Sequence, residues 1–144
     1  MSLFYNIITE LISFLVFLFG SFHKKLQLGQ KGRKESLLIL KKNIRPSDKI
    51  VWLHCASLGE YEQGFPLFVE IKKKYPNHKL VLSFFSPSGY EVKKANSIAD
   101  IVVYLPIDTK DNCEKFLDLI KPEIVVFIKS EIWPNYLNEI KKRN

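Results

Sequence analysis

The stretch from Ile50 to Glu60 constrains the fold of this chain more than any other. It begins as a continuous apolar run, which is typical of a strand buried on both faces of a parallel sheet. The run ends in the letters ASLGE, whose small residues allow a sharp turn into a helix. Ser57 and Glu60 have the spacing of a capping box, with Ser57 as the N-cap. The sequence therefore predicts a buried strand followed directly by a helix.

Alternation of strands and helices continues from there along the chain. Apolar runs predict strands at Ile50–Cys55, Lys79–Phe85, Ile101–Leu105 and Glu123–Ile128. Helical patterns lie between and after them, at Leu58–Tyr75, Ser88–Asn96, Thr109–Ile120 and Pro134–Lys142. Gly64 and Pro66 interrupt the first helical stretch, so we expect a kink or two short helices there. Regular alternation of this kind predicts an α/β fold with a Rossmann-like parallel sheet.

Capping acids recur at the starts of the predicted helices. Ser88 and Glu91 repeat the S-x-x-E spacing, and Asp108 and Asp111 flank the start of the next helix. Acids in these positions satisfy backbone donors and oppose the helix dipole. Spacing alone therefore favours a capping role over a catalytic role for Glu60.

The first twenty-two residues form a hydrophobic segment. Leu3 to Phe22 is mostly Leu, Ile, Phe and Val, but its uncharged part, Leu11 to Phe22, is short for a full membrane span. Positive charges follow the apolar run, whereas a signal peptide carries them before it. We expect residues 1–22 to be an uncleaved anchor helix that either spans the membrane marginally or lies in its interface. A buried core helix is the alternative.

The net charge of +7 is concentrated in residues 23–49, which carry nine Lys or Arg against Glu35 and Asp48. We expect a basic linker here, with one helix through Lys34–Lys42. Beside an anchor, such a cluster favours the cytoplasmic side and contact with anionic membrane lipids. A solvated face explains the charges equally well. Nucleic acid is not an expected partner, since it would need a basic face on the folded part.

Several common kinds of site are not predicted. Cys55 and Cys113 are far apart and no ligand spacing accompanies them, so we expect buried reduced thiols and no metal site. Gly59 and Gly64 have a P-loop spacing, but the Lys and Ser/Thr that would bind phosphates and magnesium are missing. The chain also contains neither G-x-G-x-x-G nor G-x-S-x-G.

Polar residues after the last predicted strand suggest a cleft. Pro134 fits the first position of a helix, and the residue before it must then be extended. This places Glu131 on the same sheet edge as Glu60, where ligands of open α/β sheets bind. The cleft would be lined by the two acids, Ser57, the turn at 86–89, Trp133 and Asn135. The alternative is a loop acid near a helix N-terminus, with Trp133 filling the core.

Four segments together resemble one family. They are WLHCASLGE at Trp52–Glu60, SPSG at Ser86–Gly89, LPID at Leu105–Asp108 and SEIWPN at Ser130–Asn135. In this order they resemble the Kdo transferases, the 3-deoxy-D-manno-octulosonic acid (lipid A) transferases of Gram-negative bacteria. The resemblance implies a GT-B fold of two Rossmann-like domains at the cytoplasmic face of the inner membrane. Residues 50–144 would be an incomplete N-terminal domain on the acceptor side.

The resemblance also implies a reaction and its residues. Kdo would move from CMP-Kdo to a lipid A precursor with inversion, without a metal or other cofactor. Glu60 matches the presumed general base of the family. The acceptor side would be bound by residues of the matched motifs: Ser57, Gly59, Ser88, Gly89, Glu131, Trp133 and Asn135.

Two departures from the family pattern bear on activity. Lys129 stands where the family has the first acid of E-T-E-x-W-P-N. The sequence ends at Asn144, before any donor-binding domain, so we expect an N-terminal portion that is inactive alone. Two other functions remain open: a membrane-tethered module that binds the lipid A precursor without catalysis, and another GT-B glycosyltransferase with a lipid acceptor.

Overall fold

The computed structural model describes residues 3–19, 24–129 and 131–143. Six helices and four strands lie in these ranges. In chain order they are α1 (Leu3–Phe19), α2 (Lys24–Asn43), β1 (Lys49–Cys55), α3 (Leu58–Lys74), β2 (His78–Phe84), α4 (Pro87–Lys93), β3 (Ile101–Tyr104), α5 (Lys110–Ile120), β4 (Ile124–Phe127) and α6 (Pro134–Arg143). All four predicted strands are present, each within one residue of its predicted limits.

The four strands form one parallel sheet in the order β3-β2-β1-β4, which confirms the α/β class predicted from the alternation. The chain moves outward from β1 to β2 and β3, and then returns to place β4 on the other side of β1. Strand order therefore reverses between β1 and β4. In open α/β sheets this reversal leaves a crevice at the carboxyl ends of the two strands, where ligands bind.

Helices cover both faces of the sheet. Strand residues alternate between the faces, so Trp52 packs with α5 and α6 while Val51 and Leu53 pack with α3. Trp52 is fully buried and contacts the rings of Phe116 and Tyr136 at centroid distances of 5.1 and 5.6 Å. Each face of the sheet thus has its own apolar core.

The helix after β1 is continuous. α3 contains Pro66 in its interior, so the expectation of two short helices is wrong. Proline removes one backbone donor, but Tyr61, Phe68 and Ile71 on the same helix bury their side chains against the sheet. Burial of this apolar stripe stabilises the helix across the interruption.

The predicted cap of α4 is wrong by two residues. Ser86, not Ser88, is the N-cap of α4, because its Oγ accepts from the backbone N–H of Ser88. Thr109 is the N-cap of α5, and its Oγ1 accepts from the N–H of Asn112. Asp108 precedes that cap and caps a different helix, as described below.

The segment expected to be a basic linker is largely helix α2, which is longer than predicted and packs on the sheet. Leu40 is fully buried in the core, and the Ser36 hydroxyl accepts from the backbone N–H of Tyr104 at 2.8 Å. The Arg33 guanidinium donates to the carbonyl oxygens of Leu105 and Phe85. α2 therefore belongs to the α/β layer, and its lysines Lys31, Lys34, Lys41 and Lys42 are exposed.

Helix α1 contacts this layer along one side only. The hydroxyl of Tyr5 donates to Asp108 Oδ2 at 2.7 Å, and Thr9 is 6% exposed. The other side exposes apolar residues: Leu3, Phe4, Ile7, Leu11, Ile12, Phe14, Leu15 and Leu18. Among the helices in the described ranges, none combines the length and apolar character needed to cross a membrane. Residues 1–2 and 20–22 of the predicted anchor lie outside those ranges.

Candidate active site at the carboxyl ends of β1 and β4

The loop after β1 carries the predicted base. Ser57 is the N-cap of α3 with extended backbone, but its side chain makes no capping hydrogen bond. Glu60 reaches back one residue further than in a capping box, and its Oε2 accepts from the N–H of Ala56. Neither hydrogen bond of the predicted capping box is therefore formed. Glu60 is held by the backbone through one carboxylate oxygen, and the Ser57 hydroxyl is not used as a cap.

Gly59 has no structural reason to be a glycine. It is exposed, and a Cβ placed on it would meet no atom within 4 Å. The space beside the first turn of α3 is consequently open. A group that approaches the backbone there would meet neither a side chain nor a crowded surface.

The loop after β2 lies beside the loop after β1. The N–H of Ser86 donates to the carbonyl oxygen of Ala56 at 2.8 Å, which ties the two loops together. Ser88 is exposed, and its hydroxyl lies 3.0 Å from that of Ser86. Gly89 differs from Gly59, because a Cβ on it would lie 2.1 Å from the ring of Phe84. Close packing of α4 on β2 explains this glycine without a ligand.

The loop after β4 brings the second acid to the same edge. The Glu131 side chain is 22% exposed, and burial followed by the negative charge of Glu60 raises the pKa of its carboxyl, while the Trp133 indole lowers it. The same two carboxylates also contribute to the raised pKa of the Cys55 thiol, behind burial. Lys129, the departure from the family pattern, is exposed and has a left-handed backbone with φ 63°. Ser130 lies outside the described residues.

Trp133 and Asn135 occupy different surroundings. The Trp133 ring lies between Phe85, at a centroid distance of 4.8 Å, and His54, at 5.9 Å. Asn135 is 8% exposed, and its side-chain amide donates to the carbonyl oxygen of Asp108 at 2.6 Å. The Asn135 side chain therefore stabilises the loop that contains Asp108. Its role in acceptor binding stays a prediction, as do those of the other predicted site residues.

Asp108 is a buried acid whose structural role was missed in the sequence. Its carboxylate is 2% exposed and accepts from the backbone N–H groups of Asn135 and Tyr136 at the start of α6. The positive end of the helix dipole and these two donors compensate the buried charge. Asp108 therefore fixes the start of α6, directly after Trp133. The LPID segment could have indicated this role, since a buried carboxylate that follows a strand needs hydrogen-bond donors.

His54 was also missed. It lies in β1 with a fully buried side chain, and its Nε2 accepts from the indole N–H of Trp133 at 3.2 Å. Alternation along the strand indicated that Trp52 and His54 share a face, but nothing in the spacing paired His54 with a residue so distant in sequence. Only the strand order β1–β4 brings the two together.

A cavity of about 520 Å³ lies between α1 and the helices α5 and α6, and contains neither Glu60 nor Glu131. Within the described part of the chain, no three His, Cys, Asp or Glu side chains are grouped so that they would hold a metal ion. We locate the site by its carboxylates, because they lie at the reversal of strand order where α/β sheets bind ligands.

The strand order and the helices on both faces define a doubly wound α/β protein, the class in which ligands bind at the carboxyl ends of the strands. The sequence profile of one family, described as 3-deoxy-D-manno-octulosonic-acid transferase (kdotransferase), matches residues 22–144. The chain belongs to the Kdo transferase family of glycosyltransferases, which confirms the family resemblance of its motifs.

Individual relatives agree with this assignment. The chain is 34% identical over 102 residues to a bifunctional glycosyltransferase/methyltransferase of Fusobacterium nucleatum, covering 67% of the chain and 16% of the relative. It is 30% identical to the 3-deoxy-D-manno-octulosonic acid transferases of Haemophilus influenzae and Aquifex aeolicus. These matches cover 69% and 67% of the chain, and 23% and 27% of the relatives. The chain thus spans about a quarter or less of these relatives. No solved structure gives a significant match.

Proposed function

We propose that this chain forms the acceptor side of an inverting glycosyltransferase that moves Kdo from CMP-Kdo to a lipid A precursor. The observation that carries the proposal is that Glu60 and Glu131 follow the neighbouring strands β1 and β4 of a Kdo transferase family chain, near enough for the charge of Glu60 to raise the pKa of Glu131. The donor would bind to a second domain, for which the greater length of the relatives leaves room. No metal or other cofactor takes part.

In this proposal Glu60 is the general base. Its Oε2 is fixed by the N–H of Ala56, and Oε1 has no hydrogen bond among the described residues, so it is available to the acceptor hydroxyl. The hydroxyl oxygen attacks the anomeric carbon of Kdo, a new C–O bond forms, and the bond to CMP breaks. The hydroxyl proton passes to Glu60. A base in this role needs hydrogen-bond reach of the hydroxyl, and removal of such a base typically costs about 10²- to 10⁴-fold in rate.

The remaining groups at the edge would bind the acceptor. Ser57 supplies a hydroxyl that the helix does not use, Gly59 leaves open space for a sugar ring, and Ser88 is exposed beside them. Glu131 would accept hydrogen bonds from acceptor hydroxyls. Burial and the charge of Glu60 raise the pKa of its carboxyl, so it gives up its proton less readily than an exposed glutamate.

A membrane location is part of the proposal. The exposed apolar side of α1 is contiguous in sequence with basic α2, which suits a helix lying in the interface of an anionic membrane. The cytoplasmic face of the inner membrane is where a lipid acceptor and a nucleotide-activated sugar would meet. This arrangement would hold the site beside its acceptor.

The test is the Glu60→Gln variant with Glu62→Gln as its matched control. Glu62 lies on the same helix and pairs with Lys93, away from the edge. Transfer from CMP-Kdo to a lipid A precursor would be measured with the chain supplied with the donor-binding half of a Kdo transferase. We expect Glu60→Gln to lower transfer at least 100-fold, while Glu62→Gln leaves it unchanged. Undiminished transfer by Glu60→Gln would refute the assignment of the base.

Binding of the precursor separates the alternatives. The 144-residue chain in detergent micelles should bind a lipid A precursor, and Glu60→Gln should bind it equally well. If the chain binds but never supports transfer, it is a binding module. If it binds another lipid-linked sugar in preference, it serves a different lipid acceptor. If it binds none, the acceptor-side assignment is wrong.

A further inference from the structure

Four polar side chains form a continuous hydrogen-bonded series through the core behind the candidate site. The Trp52 indole donates to Ser83 Oγ at 2.8 Å, and His54 Nδ1 lies 2.8 Å from the same oxygen. At the far side of the imidazole, His54 Nε2 accepts from the Trp133 indole at 3.2 Å. Trp52, His54 and Ser83 are fully buried. Their polar atoms therefore have no access to water and depend on one another.

The indoles determine the protonation of His54. An indole N–H donates and never accepts, so Nε2 must carry a lone pair toward Trp133. The ring proton is then on Nδ1 and is donated to Ser83 Oγ. This tautomer agrees with the environment, since burial lowers the pKa of His54 to about 4. The contact of Nε2 with Glu131 at 3.9 Å is consequently not an ion pair at neutral pH.

The Trp133 indole lies next to two acceptors, and this makes the series relevant to the site. One is His54 Nε2, and the other is the carboxylate of Glu131, whose pKa the indole lowers. The indole has a single N–H. While His54 Nε2 accepts it, Trp133 cannot donate a full hydrogen bond to Glu131. Trp133 also contacts Phe85 on the loop after β2, so one ring touches the ends of two strands and the second acid.

We propose that His54 is a positioning residue, whose neutral imidazole holds the Trp133 indole and thereby sets the loop that carries Glu131. A side chain that only filled the core would have no need of a fixed tautomer or of a partner on that loop. The bond from Trp133 to His54 does not depend on the reaction. Its effect on acceptor binding rests on the proposed function.

The first test uses two variants that each retain one nitrogen position of the imidazole. Glutamine places its terminal atoms near Nε2, so His54→Gln can still accept from Trp133. Asparagine places them near Nδ1, so His54→Asn retains the contact with Ser83 and loses the acceptor. The chain contains two tryptophans, so the indole N–H resonances in a ¹H–¹⁵N spectrum are assigned with a single Trp52→Phe variant.

We expect the Trp133 indole N–H to exchange with water about tenfold faster in His54→Asn, as for the loss of one hydrogen bond. It should be unchanged in His54→Gln. The pKa of Glu131, followed by carboxyl ¹³C shifts, should fall in His54→Asn only, because the freed indole then donates to it. Equal behaviour of the two variants in exchange and in titration would overturn the proposal. The Trp52 resonance reports that each variant is folded.

The second test needs no variant and remains decisive if His54→Asn does not fold. A long-range ¹H–¹⁵N spectrum of the imidazole at pH 7 should show the proton on Nδ1 and none on Nε2. A proton on Nε2 would overturn the proposal, since the indole would then have no acceptor there. In transfer assays, His54→Asn should raise KM for the acceptor more than it lowers kcat. If the spectra agree and the KM does not change, the positioning of Trp133 stands and the acceptor role of Glu131 fails.

Discussion

At the scale of the residue, His54 makes the stability of the fold depend on pH. Burial lowers its pKa from 6.5 to about 4, so the folded chain stays neutral at this position while the unfolded chain takes up a proton. The stabilising difference is present above pH 6.5 and is lost as the pH falls toward 4. Over the whole interval it amounts to about 3 kcal/mol.

Urea unfolding at pH 7 and pH 5 would measure this dependence. About 2 kcal/mol should be lost between the two values through this histidine alone. His54→Gln should remove that part of the loss, because glutamine does not titrate. Acidic groups elsewhere contribute equally to the pH dependence of the unsubstituted chain and of the variant. An unchanged pH dependence in His54→Gln would show that the imidazole is not buried in neutral form.

At the scale of the element, the two glycines at the helix starts are expected to behave in opposite ways. Gly59→Ala adds a methyl group to open space in the first turn of α3, so it should raise the free energy of unfolding by about 0.5–1 kcal/mol. Gly89→Ala forces a methyl against Phe84 and should lower it by about 1–3 kcal/mol.

For Gly59→Ala, binding of the precursor distinguishes an effect on function from an effect on stability. Gly59→Ala should weaken binding of a lipid A precursor although the fold is more stable. Denaturant unfolding and a binding titration on the same samples give both quantities. If Gly59→Ala gains stability and binds normally, nothing approaches the backbone at this position.

The elements also show which information the sequence contains. Strands were predicted to within a residue because each is a compact apolar run bounded by turn residues. The packing of α2 was not predicted, since Ser36 bonds to the backbone of β3 and Arg33 to the residue after β2, both far away in sequence. Glu60 and Glu131 were placed on one edge by the rule for parallel strands. The pairing of Trp133 with His54 required the strand order, which periodicity does not contain.

At the scale of the whole molecule, the exposed apolar side of α1 and the basic residues of α2 lead us to expect binding to anionic membranes. The chain should float with vesicles that contain anionic lipid and much less with neutral ones, and added salt should weaken it. Replacing Ile7 and Leu11, which are 57% and 54% exposed on α1, by Asp should reduce flotation. Val92→Asp is the control, because Val92 is 55% exposed on α4. Equal flotation of both variants would contradict an interfacial α1.

The register of the central strand has a consequence for the order in which the protein assembles. Val51 of β1 pairs with Leu80 of β2 and with Ile124 of β4, so the second partner comes much later along the chain. Contacts between residues that are distant in sequence form slowly, because a long loop must close first. During synthesis, β1 to β3 can pair before β4 has left the ribosome. The edge that holds both acids is therefore completed last, and a nascent chain has a folded sheet before it has a site.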